Sequence, residues 1–313
     1  MRAAVVEQYG GPEVVQVRTV PDPAVAPGRV LVRVRAAAVT SADSRIRAAR
    51  FPRGFGLLGR LAFGVRRPRR GVLGGVYSGV VEQVGPGVTE ISVGDEVCGM
   101  TGASLGTHAE LVVVKAKKVV PKPSSVSHAD AAGVLFGGTT AMHFLRDRVY
   151  PGTRVLVNGA SGAIGTAAVQ LVVRAGGRVT GVCGPANAEL VRRLGAEAVV
   201  DHTRSSVLDL PERYDLVLDT VGTLSLKDGR RLLAPGGVLL LAVADLGDIV
   251  RARGDAFAGP MPERPADMVA LLDLVDAGQL EVVIDRTVSL DEIVEAHRVV
   301  DSGRKVGNIV VLL

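Results

Sequence analysis

Gly159, Gly162 and Gly165 stand at three-residue intervals between a β-branched apolar run, Arg154–Val157, and a segment, Thr166–Ala175, whose apolar residues recur at helical spacing. A second apolar run, Arg178–Val182, follows the Gly176-Gly177 pair. Strand, glycine turn, helix, strand is an order that lays backbone directly against a pyrophosphate. The glycines permit a tight turn, a close approach to the ligand and close helix–strand packing. The start of the helix then offers unpaired N–H groups and a partial positive charge to the phosphates. Ala160, Ser161, Ala163 and Ile164 fill out the same turn. The bland alternative is a purely structural βα connection; the strand before and the helix after favour a dinucleotide.

The end of the second strand bears on which dinucleotide. NAD sites usually place Asp or Glu there, on the adenine ribose hydroxyls. This chain has Cys183-Gly184-Pro185, and its next acid in sequence, Glu189, is one turn into the following helix. With no carboxylate to repel a 2′-phosphate, NADPH is expected rather than NADH. Arg192 or Arg193 either pairs with that phosphate or is a solvated helix residue. A metal is not expected. Zinc needs three or four Cys, His or carboxylate ligands converging on one point. The five histidines, His108, His128, His143, His202 and His297, are scattered, and the two cysteines, Cys98 and Cys183, form no CxxC pair. Without a Lewis acid, a conjugated acceptor such as an enone or quinone is a better hydride acceptor than a simple carbonyl, because it delocalises the added charge itself.

These residues need a scaffold, and 313 residues suggest two domains. A hydrophobic content of 47% with 39 glycines fits a globular α/β protein. The sequence has no apolar run long enough to span a bilayer and no signal-peptide pattern, and its sparse cysteines suit a reducing compartment, so a cytoplasmic location is expected. The net charge of +5 is dominated by arginine, but only 3% of residues are aromatic and no stacking platform for nucleic acid is visible.

Residues 1–120 alternate short β-rich runs with turns: Ala3–Val6, Val14–Arg18, Val30–Ala37, Tyr77–Val84, Glu96–Gly99 and Ala109–Val114 are the expected strands. Without an intervening helical pattern they predict a partly open β-barrel. Val119–Ser125 reads as a hinge, and Ala129–Val149 as a helix. Strands at Arg154–Val157, Arg178–Val182, Leu216–Asp219 and Val238–Val243, with a short edge strand at Ala198–Asp201, alternate with helices at Ala188–Leu194 and Ser225–Leu233. Pro235-Gly236-Gly237 is expected to turn into the last of them. Alternation with fully apolar strands predicts a doubly wound, mostly parallel sheet. After the proline-rich Pro260–Pro265, the tail predicts a helix (Met268–Ala277), a strand (Glu281–Ile284), a helix (Asp291–Ser302) and a strand (Ile309–Leu313).

Taken together, the opening MRAAVVEQYGGPEVVQV, the GDEVCG motif at Gly94–Gly99, VLVNGASGAIGTAAVQL and the tail IDRTVSL…EAHRVVDSGRKVGNIVV resemble the zinc-free quinone oxidoreductase (zeta-crystallin-like) branch of the medium-chain dehydrogenase/reductase superfamily. The resemblance implies a GroES-like β-rich catalytic domain from residues 1–122 with 263–313, and a Rossmann domain from 123–262. It also implies a homodimer. The family motif Asn-x-x-Asp-x-x-x-Arg corresponds to Thr40 through Arg47: Asp43 and Arg47 match, and Thr40 replaces an Asn that faces the nicotinamide. For Asp43 and Arg47 the alternatives are a direct role and an internal ion pair that shapes the loop. By the same resemblance Thr140, Val221, Ala242, Val243 and Asn308 are cofactor contacts, and His202 stands where relatives often carry a Tyr near the adenine phosphate. Phe51 occupies the place of a Tyr that donates a proton in several enoyl reductases; Tyr77 is the nearest substitute, with a core strand residue as its alternative and water as another proton source.

Between Ala49 and Gly74 an insertion-like stretch, RFPRGFGLLGRLAFGVRRPRRG, carries apolar residues and then Arg66, Arg67, Arg69 and Arg70. In the resemblance it borders the substrate cleft. It reads as a lid with a basic rim, a weak membrane-surface contact, or an oligomer contact followed by a solvated charge run. The activity expected is NADPH-dependent, metal-independent hydride transfer to a quinone or activated alkene, without stable membrane insertion and without nucleic acid. The alternatives are a nucleotide-binding protein with little turnover and a zinc-free alcohol dehydrogenase.

Overall fold

The computed structural model describes residues 1–313, and the chain divides into two compact units. One comprises Met1–Phe51, Gly56–Phe136 and Glu263–Leu313; the other comprises Pro52–Phe55 and Gly137–Pro262.

The first unit opens with an antiparallel pair, β1 (Arg2–Val6) and β2 (Val15–Thr19). The long β3 (Arg29–Val39) leads into two short helices, α1 (Ser41–Ala48) and α2 (Gly56–Phe63). Strands β4 (Val76–Val84), β5 (Glu96–Met100), β6 (Leu111–Lys115) and β7 (Val119–Pro121) follow. Helix α3 (His128–Leu145) begins in the first unit and ends in the second.

In the second unit six parallel strands alternate with helices: β8 (Arg154–Asn158), α4 (Ala163–Arg174), β9 (Arg178–Cys183), α5 (Ala188–Arg193), β10 (Ala198–Asp201), β11 (Tyr214–Asp219), α6 (Leu226–Arg230), β12 (Leu233–Leu241), α7 (Leu246–Arg251) and β13 (Ala256–Ala258). Their order across the sheet is β10-β9-β8-β11-β12-β13. Val155, Leu156 and Val157 are all fully shielded although neighbours along a strand face opposite sides, so both faces of the sheet are covered. The chain runs outward from β8 through β9 to β10, then crosses back to β11 on the other side of β8. The loops after β8 and β11 therefore diverge at a topological switch point, where open α/β sheets bind ligands.

The tail, α8 (Pro265–Asp276), β14 (Ile284–Ser289), α9 (Ile293–Asp301) and β15 (Asn308–Leu312), completes the first unit. Its main sheet runs β14-β15-β3-β4-β5-β7. On one edge, β3 pairs with β6 along its first half and with β15 along its second, so the chain end is stitched into the centre of the sheet.

The structure bears out the parallel sheet and its edge strand, and corrects several local expectations. The β-rich N-terminal region contains α1 and α2, which are eight-residue helices too short to leave a clear periodic signature. Val119–Pro121 is not part of a hinge but pairs with β5. The tail strand is Ile284–Ser289 rather than Glu281–Ile284, because a polar DRTVS sequence is tolerated at a sheet edge and carries little hydrophobic signal. Pro235-Gly236-Gly237 lies within β12, beside a break in its register with β11, and the short edge strand β13 and helix α7 have no counterpart among the expected elements.

Buried charge joins α1 to α9. Arg47, with no exposed surface, donates Nη2 to the Asp301 carboxylate and Nε to the Gly10 carbonyl at 3.2 Å. Ser44 donates its hydroxyl to the same carboxylate, and Arg50 reaches it at 3.0 Å. Burial by itself would raise the Asp301 pKa, but the Ser44 and Arg47 hydrogen bonds outweigh it and hold the carboxyl below its ordinary value. Beside this pair His297 is fully buried with both ring nitrogens unpartnered, and His108 lies edge-on to it at 5.9 Å. The His108 Nε2 donates to the Ala38 carbonyl at 3.0 Å. Burial, reinforced by His108 and Arg47 and opposed by Asp301, pulls the His297 pKa down to about 3.

Two outcomes are expected. Because the folded pKa of His297 lies below its ordinary 6.5, stability is complete above that value and is lost as pH falls toward about 3, since the unfolded chain takes up the proton first. Melting followed from pH 7 to pH 5 should show an acid loss that His297→Leu reduces by about 2 kcal/mol; an unaltered profile in the variant would place the acid sensitivity elsewhere. Arg47→Met should cost about 3 kcal/mol or more in denaturant unfolding, by stranding Asp301, with partial recovery in the Arg47→Met/Asp301→Asn double variant.

Candidate active site

The glycine turn is shaped by how close its own backbone comes. Gly159 has φ +84°, and its N–H and that of Ala160 both donate to the Val182 carbonyl, at 3.1 and 2.9 Å, so the turn is tied to β9. A Cβ on Gly165 would land on the Gly159 carbonyl oxygen and the Ala160 backbone. Gly162 is the N-cap of α4 and supplies no side-chain acceptor, so first-turn N–H groups are left for a ligand. Ser161, Gly162, Ala163 and Ile164 are partly exposed, whereas Ala160 is buried. The fit to a pyrophosphate is therefore met by the backbone itself. Further back, Gly137 on α3 admits the Ala163 carbonyl, which a Cβ there would strike, and Thr140 lies one turn on, buried.

The loop after β11 is braced by one carboxylate. Asp219, fully buried, accepts from the Val221 and Gly222 N–H groups at 2.9 and 3.1 Å and from Asn158 Nδ2 at 3.0 Å through one oxygen, and from the Leu224 N–H at 2.9 Å through the other. Thr220 donates its hydroxyl to the Asn158 carbonyl at 2.8 Å. The space above Gly159 is what lets this loop in: a Cβ there would meet Thr220 Oγ1 at 2.5 Å and Val221 Cγ2 at 2.6 Å. Val221 is left half exposed, and Ala242, whose N–H donates to the Asp219 carbonyl at 2.9 Å, and Val243 are partly exposed beside it. The sequence places Asp219 at the end of a strand; that Asn158 completes the brace is not read from it, although a polar residue closing an apolar strand is a visible signal.

The end of β9 gathers a third group. The His202 N–H donates to the Cys183 carbonyl at 3.3 Å, and a Cβ on Gly184 would lie 3.7 Å from His202 Nε2. Asn187 donates Nδ2 to Ser161 Oγ at 3.3 Å, linking this end to the glycine turn. Glu189 is the next acid in sequence, but Asp201 on β10 stands in register with Cys183. Burial raises the Cys183 thiol pKa, Asp201 adds to the rise and Arg192 opposes it, so both charges act at this strand end. The Asp201 carboxylate is engaged by the Thr203 hydroxyl at 2.7 Å and backbone N–H at 2.9 Å.

In the first unit, Thr40 and Asp43 form the capping box of α1. Asp43 Oδ2 accepts from the Thr40 N–H at 2.8 Å and hydroxyl at 2.7 Å, while Oδ1 accepts from the Gly74 N–H at 3.0 Å. Asp43 and Arg47 are thus not an ion pair with each other; Arg47 belongs to Asp301. Tyr77 is buried in the sheet core with Val30, Val32 and Val97, its hydroxyl unpartnered and its pKa pushed far up by burial. It occupies the core-strand role, and nothing there accepts or delivers its proton. Asn308 donates Nδ2 and its backbone N–H to the Val283 carbonyl at 3.0 and 2.9 Å, so its amide nitrogen holds β15 to the preceding loop. Phe51 stacks on Phe63 at 5.9 Å and lies over Gly59, anchoring α2. Ile46, Ala62, Phe63, Arg69, Arg70 and Leu105 line a cavity of about 170 Å³ beside it.

No three His, Cys, Asp or Glu side chains converge as a metal centre. Cys98 and Cys183 are both buried free thiols, one in each unit, and the paired imidazoles of His108 and His297 share their surroundings with the Arg47 guanidinium, which repels a cation. The residues do not fit a zinc ion.

Residues 26–124 match the alcohol dehydrogenase GroES-like domain family, and residues 194–311 match a family described as zinc-binding dehydrogenase, whose ligands this chain does not assemble. Over 99% of its length the chain is 31% identical to the mitochondrial NAD(P)H oxidoreductase RTN4IP1 of Mus musculus, of which 89% is covered. It is 29% identical to a quinone oxidoreductase of Pseudomonas aeruginosa, with 97% of each covered, and 29% identical to the chloroplastic NADPH-dependent alkenal/one oxidoreductase of Arabidopsis thaliana, with 80% of this chain and 68% of the relative covered. A quinone oxidoreductase structure from Coxiella burnetii superimposes with a TM-score of 0.90 at 25% identity, covering 100% of this chain and 99% of that one. With a GroES-like domain, a Rossmann-type parallel sheet and relatives of this kind along its whole length, the chain belongs to the quinone oxidoreductase branch of the medium-chain dehydrogenase/reductase superfamily and is an NAD(P)H-dependent oxidoreductase.

Proposed function

We propose that the protein is an NADPH-dependent, metal-independent reductase of quinones or of conjugated alkenes (enones or enoyl compounds). The observation that carries the reading is the uncapped α4 N-terminus behind the Gly159–Gly165 turn, set beside the Asp219-braced loop at the switch point. In this proposal Gly159 to Gly165 hold the pyrophosphate, Val221, Ala242 and Val243 border the nicotinamide half with Thr140, and Cys183, Gly184 and His202 border the adenosine half. Bound NADPH supplies a hydride; the chain supplies position, and a conjugated acceptor needs no Lewis acid because its own π-system takes up the charge. The reading is supported by the lack of any three His, Cys, Asp or Glu side chains placed together. Arg192, whose charge acts at Cys183, is assigned to the 2′-phosphate, and Arg204 at 3.5 Å from Asp201 offsets part of that carboxylate's charge.

Thr40, Asp43 and Arg47 act in this reading as positioning residues. The Thr40 hydroxyl and Asp43 carboxylate fix the entry of α1 and the Gly74 backbone, and Arg47 fixes its exit. The proton that completes reduction comes from water rather than Tyr77. Residues 1–122 with 263–313 serve as catalytic domain and 123–262 as cofactor domain, in a homodimer working in the cytoplasm, where two buried free thiols stay reduced.

With chelator present, NADPH absorbance should fall quickly with quinones or enones and not with simple aldehydes, and NADH should be the poorer donor. Tight NADPH binding without oxidation by any acceptor would instead favour a nucleotide-binding protein with little turnover, and chelator-resistant oxidation of alcohols by NADP would favour a zinc-free alcohol dehydrogenase. Arg192→Ala should raise KM for NADPH about tenfold and leave that for NADH nearly unchanged; equal effects on both would remove Arg192 from the 2′-phosphate.

A further inference from the structure

The stretch around α2 combines two surface properties: several exposed leucines and a run of exposed arginines. Leu57, Leu58, Leu61 and Val65 are 72%, 51%, 53% and 56% exposed. Directly after them Arg66, Arg67, Arg69 and Arg70 are exposed and no carboxylate pairs with any of them. From Ser44 to Val81 the sequence contains no acidic residue.

The segment is built, not loose. Phe51 and Gly59 seat the inner face of α2. The Tyr9 hydroxyl donates to the Gly64 carbonyl at 2.6 Å, and the Arg60 guanidinium lies 5.4 Å over the Tyr9 ring while donating to the Val65 carbonyl at 2.8 Å. The Arg69 N–H donates to the Phe63 carbonyl at 2.7 Å, and Gly64, at φ +128°, makes a turn that a Cβ would block against the Arg67 carbonyl. These contacts spend polar groups on holding exposed leucines and arginines side by side.

We propose that α2 and the following arginine turn form a peripheral docking surface for an anionic lipid bilayer, with the leucines entering the headgroup–acyl boundary and the guanidiniums pairing with lipid phosphates. Apolar side chains and cations on one short element are what an interfacial contact needs: neither component holds firmly alone. A nucleic acid would use the arginines and leave the leucines in water. A second copy joined about a two-fold axis through the arginine turn would set the arginines of one chain against those of the other. No helix of the protein is long and apolar enough to cross a membrane, so the contact is with the surface. The proposal does not depend on the acceptor assigned above.

The chain contains no tryptophan, so Leu58→Trp gives a single indole reporter in the full-length protein. With vesicles of phosphatidylglycerol and phosphatidylcholine its emission should shift to the blue and the protein should sediment with the lipid; pure phosphatidylcholine vesicles should do neither. Added salt should release the protein, since exposed charge pairs are screened. Arg66→Glu/Arg67→Glu and Leu57→Asp/Leu61→Asp, each checked for an unchanged melting temperature, should each weaken sedimentation with anionic vesicles at least about tenfold. The proposal is overturned if anionic vesicles leave the wild type in solution, or if both folded double variants bind them as the wild type does. It is equally overturned if the exposed leucines prove to be covered by a second copy, seen as an oligomer in solution that the Leu57→Asp/Leu61→Asp variant dissociates.

Discussion

Backbone can grip a pyrophosphate only where it comes nearer to its neighbours than any side chain allows, and the cofactor unit is arranged around that one close approach. The Gly165 position touches the Gly159 carbonyl, Gly159 makes room for Thr220 and Val221, and Gly137 makes room for Ala163. Gly165 and Gly137 remove a Cβ where two backbone segments meet, and Gly159 removes one where the Thr220 and Val221 side chains come in. The result is a helix start whose N–H groups remain free, flanked by a loop that cannot drift because Asp219 holds three of its N–H groups. A buried carboxylate is costly unless its lone pairs are satisfied; here the hydrogen bonds that offset desolvation are the same ones that fix the loop.

The first unit solves a different problem, which is to hold a chain end against a chain beginning. Arg47 and Asp301 bring charge into a region otherwise made of Ile46, Leu73, Ile293 and Val300. Pairs of this kind contribute less to net stability than to geometry, because most of their attraction offsets the water they lose. Burial, helped by His108 and Arg47 against the pull of Asp301, keeps His297 neutral, so the unit carries a built-in sensitivity to acid as the counterpart of its fixed α1. Asp43, at the other end of α1, is spent on Thr40 and Gly74. Both motif residues thus hold backbone, Asp43 at Thr40 and Gly74 and Arg47 at Gly10.

Family membership and the local arrangement of residues bear on different questions. The chain is similar in sequence to a family described as zinc-binding dehydrogenase and to proteins named for quinone and alkenal chemistry. Within this fold, the donor set decides whether a Lewis acid is available, and here no three candidate ligands come together. The α2 segment is likewise a local choice: its arginines and exposed leucines are carried on the surface.

Much of the cofactor unit was legible in the sequence because its signals are local: the three glycines, the apolar strands and the alternation of β and α elements each follow from short-range geometry. The edge strand at Ala198–Asp201 could be read from its residues alone. The tail strand could not, since at an edge the polar Arg286 and Thr287 face solvent and hydrophobicity no longer marks the element. Short helices such as α1 also escape, because about two turns give too few periods to distinguish. The sequence by itself determined which residues lack a Cβ, where carboxylates and thiols are available, and that zinc ligands are scarce. Only tertiary structure decided that Arg47 meets Asp301 rather than Asp43, that Asn158 joins the Asp219 brace, that Asp201 lies beside Cys183, and that Tyr77 faces the core. These are contacts between residues far apart in the chain, set by strand order and helix docking, and no spacing along the sequence encodes them.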